Sequence, residues 1–333
     1  MGLIFWIIIF VISLVFLVKG SDWLVESAER IGLAFGLSPF IVGVTIVSIG
    51  TSFPELVSSL AATLKGLSDV APANAIGSNI SNILLIVGVS AILGRRLVVT
   101  KSLIDLDLPL LAIGTVLLLG VVVDGQVSLG ESILLLITYF IYLSYTIFHK
   151  EDGQETKEIV EVLPSRKERR KTVSGAKKEK IEKPKTKLKD FGMLILGTLV
   201  LFGGAKGLVN SLVNLSLFFK ISTGLIAITA VAVGTSLPEL FVSASAALKR
   251  KSEVALGNIF GSNVFNALVV IGFSGLFRRL ILDPQTYKVG LPVMALATFL
   301  FVISGISRRI HIWEGAFYLS LYVLFIAKLF NLF

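Results

Sequence analysis

Apolar residues run along this chain in stretches long enough to cross a membrane, broken by short polar intervals. A span through the hydrocarbon core needs about 20 such residues. Stretches of that kind fall near 3–18, 37–63, 70–93, 106–123 and 129–148, and again near 190–213, 221–248, 254–277, 287–306 and 312–330. The pattern predicts an all-α polytopic membrane protein with ten transmembrane helices. Residues 3–18 are uniformly apolar, with no basic segment before them and no small-residue cleavage pattern, so they read as a retained first span rather than a signal peptide.

Polar residues interrupt two of these spans in the same way. Gly50-Thr51-Ser52-Phe53-Pro54-Glu55-Leu56 lies in the second, and Gly234-Thr235-Ser236-Leu237-Pro238-Glu239-Leu240 repeats it 184 residues later. Residues 50–88 align with 234–272 without a gap, and about half the positions are identical. Ala-Ile-Gly-Ser-Asn-Ile-Ser-Asn (75–82) answers Ile-Phe-Gly-Ser-Asn-Val-Phe-Asn (259–266). Internal repetition is the first thing to establish in a sequence. Here it divides the chain into a first five-helix repeat (1–148), a linker (149–189) and a second five-helix repeat (190–333). Five spans per repeat is an odd number, so the two copies are expected to be inverted. Inverted repeats point to a secondary transporter whose site lies at the repeat interface near the midplane.

The chemistry of the motif agrees. A carboxylate at mid-membrane depth costs roughly 2–4 kcal/mol, so it needs a partner or a function. The proline before it lacks a helical N–H and frees the carbonyl four residues back, at Gly50 or Gly234. Side chains four apart share a helix face. Ser48, Thr51, Ser52 and Glu55 form one stripe, and Ala232, Thr235, Ser236 and Glu239 form its counterpart. Asn74, Ser78 and Asn82 align in the third span, matched by Asn258, Ser262 and Asn266 in the eighth. Asn74 and Asn258 read as caps or interhelical bridges, while Asn82 and Asn266 lie deeper. Gly77 and Gly261 would permit close backbone approach. Carboxylates, hydroxyls and freed carbonyls are ligands for hard cations such as Ca²⁺ and Na⁺. Two ionised glutamates match one Ca²⁺ or two Na⁺, and alternating occupancy by these ions would give exchange.

Composition narrows the alternatives. With 54% hydrophobic and 16% charged residues, the chain is not a soluble domain. It has no cysteine, which excludes disulfides and thiolate ligands. The net charge of +9 resides in loops, where membrane topology rather than nucleic acid explains it. The linker holds 14 of the 31 basic residues and is expected to be cytoplasmic, together with Lys19, Arg30, Arg95, Arg96, Lys101, Lys249–Lys251, Arg308 and Arg309. Both termini then lie outside. Ser128 and Glu131 form a capping box at the start of the fifth span. No zinc-protease motif, membrane aspartate pair or Ser–His arrangement suggests an enzyme, and a cation channel would need flux without a counter-ion.

At these residues the sequence resembles the sodium/calcium exchanger family, in its prokaryotic form, within the cation/calcium exchanger superfamily. Its two alpha-repeats carry Gly-Thr-Ser-x-Pro-Glu followed by Gly-Ser-Asn-x-x-Asn or a close variant. The resemblance implies a Na⁺-driven Ca²⁺ antiporter working by alternating access. Glu55 and Glu239 would be the central Ca²⁺ ligands. Thr51, Ser52, Ser78, Thr235, Ser236 and Ser262 would complete the Na⁺ and Ca²⁺ sites, with backbone carbonyls at Ser48, Thr51, Ala232 and Thr235 contributing. Asn82 and Asn266 occupy the last position of the second motif. Some prokaryotic and potassium-dependent relatives carry Asp at the second of these, and Asn266 here argues against potassium dependence. The proton/calcium branch has Gly-Asn-x-x-Glu in the first motif, so H⁺/Ca²⁺ exchange is the alternative reading. No resident cofactor is implied, since the ions are cargo. The expected partners are those ions and membrane lipid.

Overall fold

The computed structural model describes residues 3–99, 107–148, 186–218, 234 and 236–329. Among the described residues a helix lies in each predicted span, the seventh only in its later part. The first set is α1 (Leu3–Phe35), α2 (Pro39–Leu64), α3 (Val70–Leu93), α4 (Leu108–Val121) and α5 (Leu129–Phe148). The second set is α6 (Leu188–Phe218), α7 (described over Leu237–Leu248), α8 (Ser252–Gly275), α9 (Thr286–Ile306) and α10 (Ile312–Leu329). Eight of them are long and apolar enough to cross a membrane, and α4 and α7 are shorter among the described residues. The linker from 149 to 185 and the first part of the expected seventh span, 219–233, lie outside the described residues.

Two features depart from the sequence expectation. The first helix continues 17 residues past the predicted end, through Lys19, Asp22, Glu26 and Arg30, to Phe35. At 1.5 Å per residue its 33 residues reach about 50 Å, longer than the hydrocarbon is thick. Lys19 and Arg30 therefore stand on a helix, not in a loop. Two short antiparallel ribbons were not expected either. Arg96–Val98 (β1) pairs with Arg309–His311 (β4), and Gln126–Val127 (β2) pairs with Leu280–Ile281 (β3). Each ribbon ties one half of the chain to the other.

The contacts between halves display the inversion. A Cβ placed on Gly20 would meet the Leu201 nitrogen at 2.6 Å, and one on Gly204 would meet the Leu17 nitrogen at 2.9 Å. Gly20 and Gly204 are 184 apart, as are Leu17 and Leu201. The two contacts are thus images of each other, and α1 and α6 run antiparallel. By contrast α8 runs alongside α2 in the same direction, with Gly257 against Phe40 and Gly43, and Gly261 against Val44 and Ser48. Since α3 returns antiparallel to α2, it is also antiparallel to its own counterpart α8.

The core is formed by α2, α3, α7 and α8. The hydropathic window of α8 is wholly buried and that of α3 is 72% buried, against 17% for α1. Phe40, Phe260 and Phe301 stack in sequence through this core, with ring centroids 6.0 and 5.1 Å apart. The outer helices turn large apolar side chains outward, among them Ile4, Ile113, Phe140, Leu199 and Phe317. In lipid those side chains are at home, and the polar interior is the informative part.

Candidate ion site

The site forms where α2, α3, α7 and α8 meet, and their helices are irregular there. α2 contains a π-helical segment, Gly43–Val47, directly before the first motif. Pro54 then sits inside the helix, one residue before Glu55. In α7 the second motif stands at the start of the described helix, with Ser236 flanking it and Pro238 in the first turn. π-Helical segments recur at Ser81–Val87 in α3 and Phe265–Val270 in α8, and they hold Asn82 and Asn266. Such segments are frequent at functional sites.

Glu55 is 0% and Glu239 1% exposed. Neither takes part in any ion pair among the described residues. Ser52 Oγ donates to Glu239 Oε1 at 2.9 Å, which places the second glutamate against the turn of α2 that precedes the first. Both carboxylate oxygens of Glu55, and Oε2 of Glu239, have no hydrogen-bond partner among the described residues. The same holds for Ser236 Oγ, Ser262 Oγ, Asn266 Oδ1 and both polar atoms of the Asn82 amide. Buried polar atoms are nearly always satisfied in folded proteins. A cluster of bare carboxylate, hydroxyl and amide oxygens is the donor set for a hard cation.

The remaining expected ligands are accounted for. Ser78 is buried in α3, four residues before Asn82. Ser48 Oγ bonds back to the Val44 carbonyl, while its own carbonyl accepts from Thr51 Oγ1 at 3.2 Å. The Ser48 hydroxyl thus spends its proton within the helix, which leaves its oxygen lone pairs as acceptors. Thr51 Oγ1 also lies 3.1 Å from Asn258 Oδ1, so its one proton is shared between that amide oxygen and the Ser48 carbonyl. Ala232 and Thr235 lie outside the described residues.

Two asparagines have a larger role than caps. Asn74 Nδ2 donates to the Glu55 carbonyl at 3.5 Å and to Ser59 Oγ at 3.0 Å. Asn258 Nδ2 donates to the Glu239 carbonyl at 3.4 Å and to Ser243 Oγ at 2.9 Å. Each amide bridges two neighbouring helices and fixes the backbone at a site glutamate. Asn258 additionally reaches the other half through Thr51. Sequence reasoning placed both asparagines on the right helix face but omitted their partners Ser59 and Ser243. The available signal was that Ser59 and Ser243 are identical across the repeat.

Gly261 behaves as expected. A Cβ there would overlap Ser48 Oγ and the Val44 carbonyl, so only glycine lets α8 press against the first motif. At Gly77 nothing among the described residues lies within 4 Å of that position. The residues equivalent to Gly261's partners Val44 and Ser48, at 228 and 232, are outside the described residues.

Comparison with known proteins agrees over nearly the whole chain. The family described as sodium/calcium exchanger protein matches residues 5–148 and 189–331. The sodium/calcium exchanger MaX1 of Methanosarcina acetivorans is 34% identical over 362 aligned positions, covering 97% of this chain and 98% of that one. The inner membrane protein YrbG of Escherichia coli is 33% identical, covering 88% and 86% respectively. Among solved structures, the sodium-calcium exchanger NCX_Mj soaked with 100 mM Na⁺ and 10 mM Sr²⁺ superposes with a TM-score of 0.79 at 30% identity, over 98% of this chain and 99% of that one.

Proposed function

The chain belongs to the sodium/calcium exchanger family, and from that premise we propose that it exchanges Na⁺ for Ca²⁺ by alternating access, with Glu55 and Glu239 as the central ligands. The observation that carries this reading is the pair of buried carboxylates with no basic partner among the described residues, on helices that also carry unpaired buried hydroxyl and amide oxygens. Empty, such a site holds uncompensated charge in a low-dielectric interior, which resists reorientation. Filled by one Ca²⁺ or by Na⁺ ions, it is neutralised and can reorient. That requirement couples the two fluxes.

Around the glutamates, the hydroxyls of Thr51, Ser52, Ser78, Thr235, Ser236 and Ser262 and the amide oxygens of Asn82 and Asn266 supply neutral ligands. Carbonyls of Ser48, Thr51, Ala232 and Thr235 complete the set. A site of protein oxygens favours Ca²⁺ over Mg²⁺, which gives up its waters reluctantly. The positive-inside rule supports a cytoplasmic linker with both termini outside, and the inner-membrane relative supports a place in the cell membrane. At a stoichiometry of three Na⁺ per Ca²⁺, each cycle would move one net charge, worth about 2.3 kcal/mol per 100 mV.

The test is Ca²⁺ uptake into proteoliposomes loaded with Na⁺, compared under an outward Na⁺ gradient, a pH gradient and no gradient. Uptake that requires internal Na⁺ is the expected result. Uptake driven only by the pH gradient would replace this reading with H⁺/Ca²⁺ exchange, and equal uptake in all three conditions would indicate a channel.

A further inference from the structure

Two buried asparagines are left over from the proposed ligand set. Asn79 and Asn263 each follow directly on a site serine, Ser78 and Ser262, and they are 4% and 1% exposed. They are 184 residues apart, so each is the other's counterpart in the repeat. They also touch: Asn79 Nδ2 donates to the Asn263 backbone carbonyl at 3.1 Å. Where two segments are related by a two-fold axis, a residue that meets its own counterpart lies at that axis. This contact therefore marks the centre of the molecule, between α3 and α8.

Symmetry would have Asn263 return the bond to the Asn79 carbonyl. Instead Asn263 Nδ2 donates back along its own helix, to the Ile259 carbonyl at 2.7 Å. The bridge runs one way only. Both side-chain oxygens, Asn79 Oδ1 and Asn263 Oδ1, are buried without a partner among the described residues. Two residues beyond each asparagine, at Ser81 and Phe265, the helix passes into its π segment.

We propose that Asn79 and Asn263 are positioning residues for the ion site, and that the one-way amide bond sets Ser78 and Ser262 for access from one face of the membrane. In the opposite-facing state the roles are exchanged. Asn263 donates across the axis to the Asn79 carbonyl, and Asn79 turns back to the carbonyl of Ala75, the counterpart of Ile259. Each state has one bond across the axis and one along a helix. The exchange thus alters geometry without losing a hydrogen bond, as a carrier that must visit both states requires. The inference rests on the alternating-access reading above.

The test is Ca²⁺ self-exchange, followed with radioactive Ca²⁺ in vesicles of a single protein orientation, with KM measured separately at each face. Asn79→Ala removes the cross-axis donor of one state and Asn263→Ala that of the other. In the other state each variant loses only a bond back along its own helix, so the ratio of the two KM values is expected to change by about two- to five-fold, in opposite directions, as the difference between a cross-axis and a local hydrogen bond implies. The double substitution should bring the ratio back toward the starting value. Asn→Leu at each position keeps the side chain's branching while dropping the donor, and serves where the alanine variant does not fold. A shift in the same direction for both single variants, or a fall in rate with the ratio unchanged, would overturn the proposal. Self-exchange needs no Na⁺, so a wild-type protein that fails the Na⁺-gradient test leaves this ratio measurable.

Discussion

In the first half Asn74 ties α3 to the Glu55 carbonyl and to Ser59; in the second Asn258 ties α8 to the Glu239 carbonyl and to Ser243, at distances that match within 0.1 Å. Away from the centre the halves diverge. The turn after α2 is Lys65-Gly66-Leu67, with Gly66 at φ +93°, while its counterpart after α7 is Lys249-Arg250-Lys251, with Arg250 at φ +59°. Gly125 at +79° in the turn after α4 likewise faces Arg308 at +63° in the turn after α9. Left-handed backbone costs an ordinary residue roughly 1–2 kcal/mol and costs glycine almost nothing. One end of the molecule accepts that cost three times among the described residues, at Arg250, at Arg308 and at Arg95 (φ +63°) in the turn after α3, each time with a positively charged side chain.

The same end is cross-linked by charge. Lys249 pairs with Asp22 at 2.8 Å and Glu26 at 3.1 Å, Lys251 pairs with Glu29, and Ser245 donates to Asp22. These contacts hold α1 to the α7–α8 turn. The counterparts of Asp22, Glu26 and Glu29 are Lys206, Asn210 and Val213, so the image of this network cannot form at the other end. The two halves answer to different selection. The proposed ion chemistry near the axis would require both copies to agree, whereas the ends would face different compartments and follow the charge bias of the side each occupies.

Substitutions can break or sharpen that contrast. The largest effect is expected at the axis, where symmetry predicts equivalence. Glu55→Gln and Glu239→Gln should each abolish Na⁺-driven Ca²⁺ uptake in vesicles, and wild-type rates in either would refute the shared role. Next come the bridging asparagines. Asn258→Ala should destabilise the protein by about 1–3 kcal/mol, because it strands buried groups on Glu239, Ser243 and Thr51. Asn74→Ala, at a residue that is only half-buried and whose bonds among the described residues stay within its own half, should do less; thermal unfolding in detergent compares them, and equal losses would remove the distinction.

Smaller effects belong to the ends. Lys249→Ala is expected to weaken stability by no more than about 1 kcal/mol, as for other partly exposed pairs, and the loss should shrink in high salt. A salt-independent loss would point to packing instead. Smallest is the turn itself. Arg250→Gly should raise stability by about 1 kcal/mol and Gly66→Ala should lower it by a similar amount, since the backbone geometry is shared. Shifts of the same sign, or no change in either, would show that the turns are not equivalent.

Much of this was legible in the chain because repetition and cost are both visible in one dimension. The spans follow from apolar length, the inversion from an odd number of spans per copy, and the site from a glutamate written twice where a charge is expensive. The capping box at Ser128 and Glu131 was equally local, and Ser128 N donates to Glu131 Oε2 at 2.7 Å. The end of α1 was not legible. Lys19, Asp22, Glu26 and Arg30 resemble a loop until one sees that α1 packs along α6 through Gly20 and Gly204, and that its acids meet lysines more than 220 residues away. The ribbons β1–β4 and β2–β3 are two or three residues long, too short for alternation to announce them.

The sequence alone determined the membrane class, the two-fold repeat and the residue types that can hold a cation, because each depends on composition and spacing along one helix. Tertiary structure decided which of those groups already hold a protein partner. Thr51 is engaged by Asn258, Ser48 by its own helix, and Glu239 by Ser52, while Glu55 stands bare. It also decided that Asn79 and Asn263 meet at the axis and bond in one direction only. Those outcomes depend on how closely α2 and α8 approach at Gly257 and Gly261 and on how α3 crosses α8, distances that no pattern along the chain encodes.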